Sequence, residues 1–352
     1  MNNNPFSIAF GKKPYQYIER ELIYDEIMND LNAEIIQNQC FMLSGVRGSG
    51  KTVMLNYLRE QFKELDNWIV ININPELDIL ESIASKLYEQ GSIKRYFLKS
   101  SFNFSFKGFG FSLEGDIPVK SIETLLEKMM SIIDKHGKRV LITIDEIANT
   151  QNIKIFSHTF KNMVNDKQPI YLLATGLNEN VYNLQNEKTL TFIYRAKKIE
   201  IGSLNQYAIA RSYKTVLGLS EEVSIKCAAI TDGYASAYQI LGSILYKTNK
   251  KDIDDDVLFE FDKMLEDINY AKLWEDLSMN DKQFLYGFST QKNNKAKLII
   301  ENSSISKESY PKYRERLIKR GIVISNAYGY LSLTLPRLIN FIKRMKIIDN
   351  YY

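Results

Sequence analysis

The sequence predicts an α/β protein: a parallel five-stranded sheet, then a helical segment, then a small C-terminal module of helices and a hairpin. Three observations predict it. Short apolar runs alternate with amphipathic, helix-spaced segments from about residue 38 to 201, the pattern of a parallel sheet with helices on both faces. Strand-like runs stop at Leu204 and helix-spaced segments continue to about Lys250. Residues 279–347 then read as three helices, a hairpin and a last helix.

The first strand is the apolar run Cys40-Phe41-Met42-Leu43. Directly after it, Gly45-Val46-Arg47-Gly48-Ser49-Gly50-Lys51-Thr52 fits G-x-x-x-x-G-K-[ST]. Backbone N–H groups of such a loop curl around a phosphate, with glycines where the backbone comes close or takes a positive φ. Apolar residues at Val53, Leu55, Leu58 and Phe62 have helical spacing. That helix would aim its unpaired N–H groups at the same phosphate. Lys51 would neutralise the β- and γ-phosphates, and Thr52 would offer its hydroxyl to Mg²⁺. A strand before and a helix after make a chance match in a glycine turn a poor explanation.

Trp68 to Ile73 is the second strand and Leu80 to Leu98 a helix. An insertion at about 101–115 follows, in which Phe102–Phe106 and Phe109–Leu113 alternate strictly around Lys107-Gly108, as a hairpin does. Its phenylalanine face would pack on the sheet or a neighbouring helix. The alternative is docking of a protein partner, since exposed phenylalanines are otherwise costly. Val140 to Ile144 is the third strand, and its near-continuous apolar run suits a parallel strand covered on both faces. It ends in Asp145 and Glu146, about 95 residues beyond the glycine loop, as a second Walker motif would. Asp145 would hold the Mg²⁺ shell, often through water. Glu146 would polarise the attacking water. Ile170 to Thr175 is the fourth strand and Lys198 to Ile201 a short fifth. Right-handed crossovers bring Thr52, Asp145 and Thr175 to one edge of the sheet.

Beyond Leu204 lies a helical lid, then a long amphipathic helix from Asp254 to about Leu277 with apolar positions Val257, Leu258, Phe261, Leu265 and Ile268. Ser278-Met279-Asn280-Asp281 resembles a capping box and opens the last segment. There a third helix spans about Ser309 to Arg320 with Tyr310-Pro311 in its first turn, where proline is tolerated. Ile322–Ile324 and Tyr330–Leu333 flank a turn at Asn326–Gly329. This is the order of a winged helix-turn-helix. The third helix carries Lys312, Arg314, Arg316, Lys319 and Arg320 around Tyr313 and Leu317. In a major groove it would bring side chains to base edges while its cations met phosphates.

With 352 residues the chain should form two or three domains: 1–202, 203–277 and 278–352. Hydrophobic residues at 45% and charged ones at 25% are ordinary for a globular protein. No run of 18 apolar residues and no signal-peptide-like start are present, so the expectation is a cytoplasmic protein without a membrane partner. Cys40 and Cys227 sit in apolar runs and read as buried, reduced thiols. Two isolated histidines, His136 and His158, are too few for a zinc site. The net charge of +4 hides an asymmetry, because residues 291–352 hold 13 Lys/Arg against 4 Asp/Glu. A mildly acidic body with a basic end points to an anionic partner, here double-stranded DNA.

With these parts in place, the chain resembles the AAA+ P-loop ATPases of the origin-recognition-like and archaeal-ATPase group, which is related to the STAND ATPases. Phe10–Tyr15 and Tyr17–Glu21 look like the family's adenine-bordering element, which implies Tyr17 and Arg20 as nucleotide contacts; Glu19 stands where the family has glycine. Thr175 falls at the sensor-1 position, and Arg195 resembles an arginine that completes a nucleotide site. The lid stretch Thr231–Gly242 has no sensor-2 arginine, and Gly233-Tyr234-Ala235 looks closer to the Gly-x-Pro element of the STAND type. The resemblance implies ATP and Mg²⁺ as cofactors and slow hydrolysis. It also implies DNA binding in replication initiation or mobile-element handling. The alternative is a signalling ATPase whose winged helix and hairpin bind proteins.

Overall fold

The computed structural model describes residues 4–9, 11, 13–98, 102–105, 112–113, 117–118, 121–188, 190–289 and 295–349. The chain packs as two compact units. A sheet unit holds Glu21–Ser44 and Lys51–Glu200, and a helical unit holds Met1–Arg20, Gly45–Gly50 and Ile201–Tyr352.

The sheet unit runs α1 (Glu21–Leu31), β1 (Cys40–Gly45), α2 (Lys51–Lys63), β2 (Trp68–Ile73), α3 (Ile79–Glu89) and α4 (Gly91–Leu98). Short strands β3 (Phe102–Ser105), β4 (Ser112–Leu113) and β5 (Ile117–Pro118) come next. After them follow α5 (Ile122–Lys135), β6 (Arg139–Ile144), α6 (Gln151–Asn165), β7 (Ile170–Leu177), α7 (Asn178–Gln185), α8 (Thr191–Tyr194) and β8 (Lys197–Glu200). The sheet is ordered β2-β6-β7-β1-β8, with β2–β6, β6–β7 and β1–β8 paired in parallel. Every residue of β1 is buried, as is all of β6 except Arg139 and all of β7 except Leu177, which is why these strands read as continuous apolar runs. The edge strand β8 buries only Ile199, and its charged Lys197, Lys198 and Glu200 suit an edge. Strand residues Met42, Ile71, Ile142 and Leu172 share one core with Leu126, Met130, Phe156 and Phe160 of the helices.

The single helix expected over Leu80–Leu98 is two, because Gln90 turns extended (φ −66°, ψ 107°) and stops α3. The expected hairpin has its strand pair: β3 and β4 are antiparallel, with Phe104 opposite Leu113 and Ser105 opposite Ser112. β5 adds to β3 in parallel. The expected turn at Lys107-Gly108 lies outside the described residues, as do Phe106, Phe109 and Phe111.

The helical unit contains α9 (Gln206–Leu217), α10 (Glu221–Thr231), α11 (Ala235–Thr248) and α12 (Asp255–Leu265). It continues through a π-helical turn (Glu266–Tyr270) into α13 (Ala271–Glu275). Beyond come α14 (Met279–Tyr286), α15 (Ala296–Asn302), α16 (Tyr310–Lys319), the antiparallel pair β9 (Val323–Ala327) and β10 (Tyr330–Leu333), and α17 (Leu338–Asp349). Side chains of Asn205, Ser220 and Asp254 cap α9, α10 and α12. The box expected at Ser278 is formed with Asp281. One core joins the lid helices to the C-terminal ones, including Tyr213, Tyr238, Phe261, Phe284, Leu317 and Phe341. Phe6 plugs into it, its ring 5.8 and 5.6 Å from those of Tyr213 and Tyr238.

The π-turn interrupts the helix expected over Asp254–Leu277. A π-turn takes an extra residue per turn and so shifts the buried stripe. Val257, Phe261 and Leu265 are buried as expected, but Ile268 is 39% exposed and Asn269 is buried in its place at 3%. Among the described residues no helix is long and apolar enough to cross a membrane.

Candidate nucleotide site

Within the helical unit the glycine loop is held by its carbonyls. The Arg20 guanidinium donates to the carbonyls of Ser49 (2.8 Å) and Gly202 (2.9 Å). Burial pulls the Arg20 pKa below its ordinary value, opposed by the Tyr17 phenol. The Gly48 carbonyl accepts from the Ser236 N–H at 3.1 Å. The Tyr234 hydroxyl donates to the Arg47 carbonyl at 2.6 Å and stands 3.0 Å from Asn269 Oδ1. Asn269 Nδ2 in turn donates to Ser236 Oγ at 2.8 Å. Burial raises the Tyr234 pKa well above the ordinary phenol value, so it stays a donor. Val46 packs against the helical core.

Two glycines are demanded here. Gly48 (φ +75°) and Gly50 (φ +93°) lie in the left-handed region. A Cβ on Gly48 would also collide with the Tyr234 hydroxyl and lie 2.6 Å from Asn269 Oδ1.

Within the sheet unit, α2 opens with a buried Lys51 and a half-buried Thr52. At the carboxyl end of β6, Asp145 is half-buried and Glu146 exposed. Thr175, buried on β7, donates its hydroxyl to Asp145 Oδ1. The same Thr175 oxygen accepts the Glu146 N–H at 3.2 Å, and Asp145 Oδ1 accepts it at 3.1 Å. These bonds hold Glu146 at φ +57°, a strained conformation for a non-glycine residue and one that clusters at functional sites. Thr175 thus ties the two carboxylate residues together. Asn178 begins α7 just beyond β7, and its Oδ1 is buried without a hydrogen-bond partner.

Of the remaining sequence-derived positions, Tyr17 adjoins the Arg20 guanidinium. Arg195 is exposed between α8 and β8. Tyr17 is half-buried, with the Lys13 ammonium 4.8 Å above its ring. On α16, Lys312 is exposed and Arg314 half-buried. Arg316 pairs with the buried Asp281 at 2.6 Å, Lys319 pairs with Glu315 at 2.6 Å, and Arg320 donates to the Asp276 carbonyl at 2.9 Å. Sequence reasoning did not single out Tyr234 for the loop, nor Asn269 or Asn178 at all. For Asn269 a signal existed: a polar residue one step past Ile268, where the apolar stripe should run on.

A glycine loop between a buried strand and a helix, with a carboxylate pair ending a second strand of the same sheet, defines a P-loop NTPase. Residues 20–181 match the KAP family P-loop domain. Residues 269–342 match a domain of unknown function, DUF8462. The chain has no match among curated proteins. Among solved structures it is similar to the Walker-type ATPase of Pyrococcus abyssi, at 13% identity and a TM-score of 0.68 over 96% of this chain and 99% of that one. Cdc6p of Pyrobaculum aerophilum is 16% identical with a TM-score of 0.48, covering 98% and 99% of the two chains. The Aeropyrum pernix Orc1 protein in complex with DNA is 14% identical with a TM-score of 0.45, covering 96% of each. Residues 20–181 are thus similar to a P-loop NTPase domain, and the chain shares its fold with the Walker-type ATPase.

Proposed function

We propose that this protein is an ATP-dependent switch that hydrolyses ATP slowly and binds double-stranded DNA through residues 278–352 acting as a winged helix-turn-helix. The observation that carries the reading is the loop itself, clamped by its carbonyls at positions 47–49 with positive φ at Gly48 and Gly50. That geometry suits a phosphate chain. Lys51 would neutralise the terminal phosphates, and Thr52 and Asp145 would hold a magnesium ion. Bound there, the metal would screen the phosphate charge and the charge that develops on transfer. Glu146 would take the proton of the attacking water. Thr175 would orient both carboxylates rather than touch phosphate. Arg195, exposed, would act on a nucleotide from its own or a neighbouring chain.

For DNA, Lys312 and Arg314 are the residues to test, because Arg316, Lys319 and Arg320 are engaged within the chain. Affinity for a duplex should fall steeply with salt as bound phosphates release counterions. Replacing Lys312 and Arg314 by alanine should reduce the slope of log affinity against log salt by about one for each phosphate no longer neutralised. Absence of duplex binding at low salt would overturn the DNA half of the reading. That same engagement of three cations favours a second reading, a signalling ATPase whose C-terminal module binds a protein. On that reading the double alanine variant would leave partner binding intact.

A further inference from the structure

The lid stretch Thr231–Gly242 has no arginine to offer a triphosphate, yet it is joined to the glycine loop. Three successive loop carbonyls, Arg47, Gly48 and Ser49, accept hydrogen bonds from Tyr234 Oη, Ser236 N–H and Arg20 Nη2. In a trans peptide unit the C=O and the following N–H point in opposite directions. Holding those carbonyls therefore aims the N–H groups of Gly48, Ser49 and Gly50 away from the lid. Successive N–H groups turned to one side make an anion-binding concavity. The Ser49 N–H adds a weak turn bond to the Val46 carbonyl, 3.3 Å long.

Asn269 completes the clamp from an unexpected place. It is 3% exposed, on the π-turn, bonded to both Tyr234 and Ser236. Without the extra residue of that turn, the buried stripe would present an apolar side chain here. The same stretch of helix grips α17 and the two residues before it. Asp262 pairs with Arg337 and accepts from Asn340 Nδ2 at 3.2 Å. Glu266 pairs with Arg344, and Tyr270 donates to the Pro336 carbonyl.

We propose that Tyr234 and Asn269 are positioning residues that set the phosphate-binding shape of the loop, and that the π-turn passes the loop's occupancy to α17. The proposal rests on the nucleotide-binding reading above and supplies its regulation. A ligand anion on the N–H side would stiffen the loop and, through the clamp, the π-turn. The lid would sense the loop backbone instead of the phosphates.

The test uses the full chain with Tyr234→Phe and, separately, Asn269→Ala, measured well below each variant's melting temperature. A fluorescent ATP analogue with magnesium reports affinity, and amide exchange over residues 338–349 reports α17. In the wild type, nucleotide should slow exchange in α17. Each variant should bind about tenfold more weakly, the scale of one lost hydrogen bond, and at saturating nucleotide α17 should exchange as in the nucleotide-free protein. A merely structural role would lower the melting temperature yet leave this saturated response intact. Wild-type affinity in both variants, or full protection of α17 in the saturated variants, overturns the proposal while leaving nucleotide binding standing. No binding by the wild type would instead sink the nucleotide reading, and the proposal with it.

Discussion

At the scale of single residues, chemistry divides between groups that would meet the nucleotide and groups that hold them in place. Lys51→Ala should abolish ATP hydrolysis. Glu146→Gln should keep ATP binding and slow phosphate release by about 100-fold, the low end for a general base. Equal release rates for both variants and wild type would show that the chain does not catalyse the reaction. Arg316 illustrates the other group. Its partner Asp281 has a side chain only 1% exposed, so Arg316→Ala leaves a buried carboxylate without its cation. Losses for such a broken pair run to about 3 kcal/mol, visible in a denaturant titration. A basic residue in a helix of basic residues looked like a DNA contact in the sequence; only the packing of α14 against α16 shows its commitment. Gly45–Thr52, Asp145 and Glu146 could be proposed from the sequence because the chemistry expected of them needs particular residue types at fixed spacing. Tyr234 and Asn269 were not, since a phenol and an amide that bond backbone carbonyls leave no spacing rule to read.

Among the elements, the central strands β1, β6 and β7 were legible because buried parallel strands must be apolar almost throughout. Their order in space was not, being set by crossovers that the sequence does not write. The break at Gln90 and the π-turn at Glu266–Tyr270 were missed for one reason. Both interrupt a helix whose apolar spacing runs on across the irregularity. The N-terminal strap was missed too, since a lone phenylalanine carries no periodicity. Yet Phe6 is 2% exposed against Tyr213 and Tyr238, and its ring fills the space over Gly242. Phe6→Ala should cost about 3 kcal/mol and lower the thermal midpoint of the helical unit. An unchanged midpoint would show that the strap is not part of that core.

For the molecule as a whole, charge and burial set the response to solution conditions. Burial raises the pKa of Cys40, Tyr213 and Tyr270, and pushes the Cys227 thiol up to about 12 from 9.0. The folded state therefore holds these groups neutral more strongly than the unfolded chain does. Their contribution is whole below the unfolded thiol's pKa near 9.0 and is lost as pH rises through the folded value near 12. Denaturant midpoints should thus fall from pH 8 to pH 10.5, and neither thiol should react with a disulfide reagent at pH 8 until the protein unfolds. Rapid labelling of the native protein would contradict the burial of Cys40 and Cys227. Everything functional turns on whether the clamped loop takes a triphosphate. Isothermal titration of ATP with magnesium into the wild type and Lys51→Ala tests this directly. One site per chain in the wild type, lost in the variant, is the predicted result; no heat of binding in either, or equal binding in both, would contradict it.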